Sequence, residues 1–231
     1  MRYNCCMRPG RLSALVLACA SVAALAVCAA AAADREKVHI VAADQKLAAN
    51  SLVRLSDLGN AAGWSGGPMK PVPPTSFKCG SYVAKQSDLV LTGNASAKWS
   101  HSGLEIDSEA QVLRSADMVG RDWRRTVTHA GIVECLRQKF AAGLPKGQKL
   151  VSFAPVSFPK VTRLTAAYRG LVDVGTSSGK VRVLVDVVVV GVGRVELTLI
   201  TTAPYSARGP VVTAETKLAT LMAARAQPGS A

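Results

Sequence analysis

Three carboxylates at two-residue spacing, Glu105, Asp107 and Glu109, are the first candidates for chemistry in this chain. On a strand that spacing puts all three on one face, where the oxygens can hold a hard cation or supply an acid and a base. The same row also serves as a solvated strand face balanced by neighbours such as Lys98. A second set sits on a helix. Arg121, Arg124 and Arg125 flank Trp123 and, with Arg137 and Lys139, give a basic outer face. Guanidinium groups of that kind meet phosphate or carboxylate on an anionic lipid or wall polymer, or simply stay in water. Trp123, and Trp64 on a Gly- and Pro-rich stretch, are candidate binding platforms or core plugs.

Other chemistries lack their residues. His39, His101 and His129 fall in no nucleophile motif, and no G-x-S-x-G occurs. The segment Gly175–Lys180 mimics a phosphate loop but has too few residues between its glycines, and Val181 replaces the Ser or Thr that such a loop needs. It reads as a hairpin turn. No C-x-x-C spacing exists, so neither a metal nor a cofactor is expected.

The N-terminus explains where such a domain works. Arg2, Arg8 and Arg11 precede an uncharged run from Leu12 to Ala33, the pattern of a secretory signal over residues 1–33. Three outcomes stay open: cleavage near Ala33, lipidation at Cys28 in the lipobox-like Leu25-Ala26-Val27-Cys28, or an uncleaved membrane anchor. All three export the domain behind the leader. Net charge is +13, of which the leader's three arginines account for three, leaving +10 outside the membrane. Such a domain is drawn to anionic lipid or wall polymer, or its basicity only keeps it soluble. The compartment and the absence of an aromatic-basic platform argue against nucleic acid.

Past the leader only Cys79 and Cys135 remain. An oxidising compartment favours a disulfide over two separate buried thiols. It would close a loop of about 57 residues and stabilise by roughly 4 kcal/mol.

The elements that carry these residues follow from periodicity. Residues 34–50 form a charged lead-in or tether, and 51–226 a single secreted domain ending in a disordered tail at 227–231. Within that domain 63–77 reads as an irregular loop. Period two from Leu89 to Trp99 and again from Leu104 to Val112, around a Ser-Gly turn, predicts an antiparallel hairpin. Val119, Trp123, Val127, Ala130, Val133, Leu136 and Phe140 make one helical stripe, capped by Ser115 or Asp117 and divisible at Gly131. Strands come next near 150–158, 164–174, 181–190 and 195–200. A last helix spans Val212 to Arg225, with Thr213 as its cap. The class is α+β: an antiparallel sheet of about six strands with two helices, order ββαββββα. Val181 to Val189 and Val195, Leu197 and Leu199 form the expected core face. Leu171, Leu184, Val188, Val190 and Ile200 lie opposite it, on a side that the chain, a partner or an apolar ligand must cover.

The runs LSDLGNAAGW, KQSDLVLTGNASAKW, ADMVGRDWRR and IVECL resemble a group of uncharacterised secreted actinobacterial proteins. More distantly the layout is similar to extracytoplasmic sensor domains of mycobacterial serine/threonine kinases and to PsbP-like envelope lipoproteins. The resemblance implies a disulfide-stapled α/β sandwich that binds a ligand or partner and has no known catalytic residues. The expected function is therefore an exported, non-enzymatic cell-envelope domain with a ligand or protein partner. The alternatives are a secreted hydrolase built on Glu105, Asp107 and Glu109, or a structural protein adhering to anionic polymer.

Overall fold

A computed structural model describes residues 34–59, 62–71, 78–80, 82–177 and 179–227, apart from the side chain of Cys79. The expected leader, with Cys28, and residues 228–231 of the expected tail lie outside the described residues. In chain order the elements are β1 (Lys37–Val38), α1 (Ala42–Asn50), β2 (Ser65–Met69), β3 (Lys78–Cys79) and β4 (Tyr82–Val83). Then come β5 (Val90–His101), β6 (Leu104–Leu113), α2 (Ala116–Thr126), α3 (Ile132–Gly143) and β7 (Gln148–Pro155). The chain continues through β8 (Leu164–Thr176), β9 (Gly179–Val192), β10 (Val195–Pro204) and α4 (Arg208–Arg225).

The β5–β6 hairpin forms as its alternation predicts. Its turn places Ser102 at φ 45° and Gly103 at φ 82°, the left-handed pair that matches the twist of the flanking strands. The chain then crosses the sheet through α2 and α3 to the far edge. From there β7, β8, β9 and β10 return as a meander, and β10 closes against β6.

The α+β class holds, but the sheet is larger and mixed. Among the described residues it has eight strands, in the order β1-β5-β6-β10-β9-β8-β7, and β2 also pairs with β5. Two expectations are corrected. The stretch read as an irregular loop supplies β2, antiparallel to β5, because an extended Gly-Pro segment can still pair at a sheet edge. The lead-in supplies β1, which runs parallel to β5, so the sheet is not purely antiparallel.

Among the described residues four α-helices replace the expected two. The Trp-bearing stripe is divided: α2 ends after Thr126, and Gly131, at φ 84°, starts α3. Ser115 caps α2, its hydroxyl accepting from the Met118 N–H at 3.3 Å. The last helix begins at Arg208, so Thr213 lies inside it and does not cap it. Pro210 falls in its first turn, where a missing N–H costs nothing.

Two helices seal one face of the sheet. Ala48 of α1 and Leu218, Ala219, Met222 and Ala223 of α4 bury against Ala97, Trp99, Ala110, Leu197, Leu199 and Val188. At Gly93 a Cβ would overlap the Asp44 carbonyl oxygen, so the bare backbone lets α1 lie directly on β5. Bidentate ion pairs pin both helices: Arg194 holds Asp44 of α1 at 2.7 and 3.1 Å. Arg225 of α4 holds Asp57 at 2.5 and 2.7 Å.

The register revises which residues share that core. Leu197 lies opposite Val190 and Leu199 opposite Val188. They therefore face the same way as Leu184 and Leu171, not with Val181 to Val189. Ile200 points the other way, beside Val187. The face expected to need covering is thus the main core, and the chain itself covers it.

Candidate functional site

The odd-numbered valines of β9 line the other face, which α2 and α3 cover only in part. Val187 and Val189 are half-buried, whereas Val188 between them is 1% exposed. The gap is a cleft of about 630 Å³, large enough for a small organic ligand.

Its walls change character across the sheet. Toward β7 they are apolar: Leu136 and Phe140 of α3, Phe153 of β7 and Tyr168 of β8. The ring centroids of Phe140 and Phe153 are 5.8 Å apart, and those of Phe153 and Tyr168 6.0 Å. Tyr168 donates its hydroxyl to the Val127 carbonyl at 3.0 Å, which fixes the ring against the α2–α3 junction. Burial holds that phenol above its ordinary pKa.

Toward β6 and β10 the walls are acidic. Glu36, which precedes β1, Glu109 of β6, Asp122 of α2 and Glu196 of β10 converge there, with Gln86 and Gln111 beside them. Among the described residues none of the four carboxylates is ion-paired with Lys or Arg. Three buried oxygens, Glu36 Oε2, Asp122 Oδ1 and Glu196 Oε1, have no N–H or hydroxyl partner. Desolvation disfavours the charged form of all four. Burial, then the charges of Asp122 and Glu109, pushes Glu36 up to about 7. Glu196 is raised well above the carboxylate range by burial and then by Asp122, within hydrogen-bonding reach. Burial also raises Asp122 and Glu109, the latter offset by a hydrogen bond from Gln111 at 3.0 Å.

The three carboxylates expected to act together are separated. Lys98 reaches Glu105 at 2.9 Å and Asp107 at 3.6 Å, while Glu109 alone opens into the cleft. Trp123 is 7% exposed and forms part of the cleft wall. Trp64 packs on the main core with its ring centroid 5.3 Å from that of His101. Two of the helix arginines are engaged at home: Arg125 holds Asp88 at 2.7 and 3.1 Å, and Arg121 contacts Asp88 and Asp117. Arg124 is exposed. Cys135 is buried on α3. His129 stacks on Tyr82 of β4 at 3.8 Å.

Glu36, Asp122 and Glu196 were not singled out from the sequence. A signal existed for one of them. Val119, Asp122, Trp123 and Thr126 fall at helical spacing, so Asp122 occupies the apolar stripe of α2. An acid in that position is buried by construction.

No family model and no curated protein matches the chain. Among solved structures it is similar to the extracellular domain of PknH from Mycobacterium tuberculosis, at 12% identity and a TM-score of 0.44, over 81% of this chain and 97% of that one. An Rv0999 ortholog from Mycobacterium smegmatis matches at 9% identity and a TM-score of 0.41, over 80% of this chain and 98% of that one. LpqN, involved in cell envelope biogenesis of Mycobacterium tuberculosis, matches at 11% identity and a TM-score of 0.30, over 72% and 94%. The first of these is an extracellular domain and the last a protein of cell envelope biogenesis, both from Mycobacterium tuberculosis.

Proposed function

We propose that this chain is an exported, non-enzymatic cell-envelope domain that holds a small ligand between its sheet and the α2–α3 layer. The carrying observation is the half-covered face: an apolar, aromatic-walled cleft ending in buried carboxylates that, among the described residues, no Lys or Arg pairs with. A fold that needed only stability would close such a gap, because unfilled apolar space and unpaired buried acids both cost free energy. The basic segment and uncharged run before Asp34 support export, by a cleaved signal or through an anchor at the leader or Cys28. Among the described residues no helix is long and apolar enough to cross a membrane. In this reading Cys79 and Cys135 form a disulfide. The Tyr82–His129 stack beside it, joining β4 to the start of α3, supports that pairing. The bridge would hold the α3 wall in place.

Native mass spectrometry tests this on protein extracted gently from its own envelope without reductant. The expected spectrum shows the exported chain two hydrogens short, with added mass that is lost on denaturation. Mass that survives denaturation and matches a diacylglyceryl group identifies Cys28 as the anchor. A bare chain in every preparation would overturn the ligand-holding reading.

A further inference from the structure

We propose that the acidic end of the cleft recognises a protonated amine, so that the ligand is an amphiphile with an ammonium head and an apolar body. This rests on the cleft being a ligand site and adds the chemical class of what enters it.

The argument begins from unmet hydrogen-bonding capacity. Asp122 is 7% exposed, and its Oδ1 is fully buried without a donor. Glu36 Oε2 and Glu196 Oε1 are in the same condition. All three residues line one end of the cleft. An ammonium group carries three N–H donors and no acceptor, so it can meet Glu36 Oε2 and take the place of the proton held between Glu196 and Asp122. A carboxylate or phosphate would add anions to a cluster already short of cations. A neutral hydroxyl would leave the carboxylates uncompensated.

Among the described residues no cation pairs with these acids. Arg125, beside Asp122 on α2, is committed to Asp88 through two hydrogen bonds, and Arg121 turns to Asp88 and Asp117. Lys139 is exposed on α3, next to Phe140 at the apolar end. The chain as a whole carries +13, so the cluster is a local reversal of sign inside a basic molecule. Apolar walls from Phe140, Phe153, Tyr168, Val187 and Val189 run directly away from it. A head and a body of opposite polarity are therefore both specified.

Charge linkage gives this site a signature beyond affinity. The groups facing the cluster are Glu109 from β6, Glu196 from β10, Asp122 and Arg125 from α2, Glu36 before β1, and Asp88 behind Arg125. Burial holds protons on the empty cluster, with Glu36 at about 7. An arriving ammonium stabilises the ionised forms, so binding releases protons and tightens as pH rises.

Calorimetric titration of the full exported chain with n-octylammonium, n-octanol and n-octanoate separates the possibilities. Octylammonium is expected to bind at least about tenfold more tightly than octanol, as charge-assisted hydrogen bonds require. Octanoate is expected to show no uptake. Affinity for the amine should rise between about pH 6 and 8, with a proton release read from buffers of different ionisation enthalpy. Glu196→Gln, which preserves the shape of the protonated acid, and Asp122→Asn should each weaken the amine about tenfold or more while leaving octanol unchanged. Equal binding of octanol and octylammonium would keep the cleft and discard the ammonium head. Preference for octanoate would do the same. No uptake of any probe by folded protein would remove the cleft reading and this inference with it.

Discussion

Two clusters of buried acid, one on each face of the sheet, are met in different ways. On the sealed face Asp186, 2% exposed, receives both arms of Arg169 at 2.7 and 2.5 Å. Glu215 of α4 lies beside this pair. On the cleft face four carboxylates converge with no paired cation and with space in front of them. The Asp186–Arg169 pair is closed by the protein, although Glu215 Oε1 beside it has no hydrogen-bond partner. The cleft cluster is left open, and an open cluster of buried acid is what a binding site needs before its ligand arrives.

The contrast breaks or holds first at Arg169. Arg169→Ala strands Asp186 in the core next to Glu215, and losing one partner of a buried pair costs about 3–5 kcal/mol. Asp122→Asn strands no cation, so its cost in the ligand-free protein should be below about 1 kcal/mol, or it should stabilise. Urea unfolding of the two variants reads the difference. Equal losses would mean that the cleft acids are as structural as the core pair.

A pH titration of stability sharpens the same comparison. Burial and then the charge of Asp186 push Glu215 up to about 8 from its ordinary 4.5. The folded state keeps a proton that the unfolded chain gives up, so folded protein binds more protons between those values. Stability is therefore full below pH 4.5, falls as pH rises, and levels off above about 8. Glu215 is 2% exposed, so its share is at most about 5 kcal/mol. Glu215→Gln should flatten that share. Glu36 and Glu196 add a share of the same sign, because their pKa values are also raised. A saturating amine should recover only this second share. Recovery of the Glu215 share as well would show the two faces to be coupled.

Local pattern made part of this legible. The β5–β6 hairpin, the stripe of α2 and α3 and its division at Gly131 follow from period and turn residues alone. What stayed hidden depends on register. Val195, Leu197 and Leu199 alternate as cleanly as Val181 to Val189, and only the pairing of Leu197 with Val190 shows that they face opposite ways. The acidic cluster was hidden for the same reason. Glu36, Glu109, Asp122 and Glu196 come from four separate segments, and no window of sequence contains them together. The carboxylate row that did stand out is short-range, and Lys98 on the neighbouring strand neutralises two of its members.

The smallest expected effect is the most direct test of the two faces, because it compares adjacent residues of one strand. Val187 and Val188 share a backbone, a neighbourhood in β9 and a side-chain volume. They differ in which face they meet. Val188 is 1% exposed in the core under α4, so Val188→Ala removes packed methyl groups and leaves a cavity, at about 2 kcal/mol. Val187 lines the cleft and is half-buried. Its truncation enlarges a space that already exists, so Val187→Ala should cost less than about 1 kcal/mol. Chemical unfolding measures both on the same scale. If Val187→Ala proves as costly as Val188→Ala, α2 and α3 seal their face after all, and the acids beneath them are closed core. If it costs little in stability but lowers uptake of an apolar amine, the strand carries packing on one side and recognition on the other.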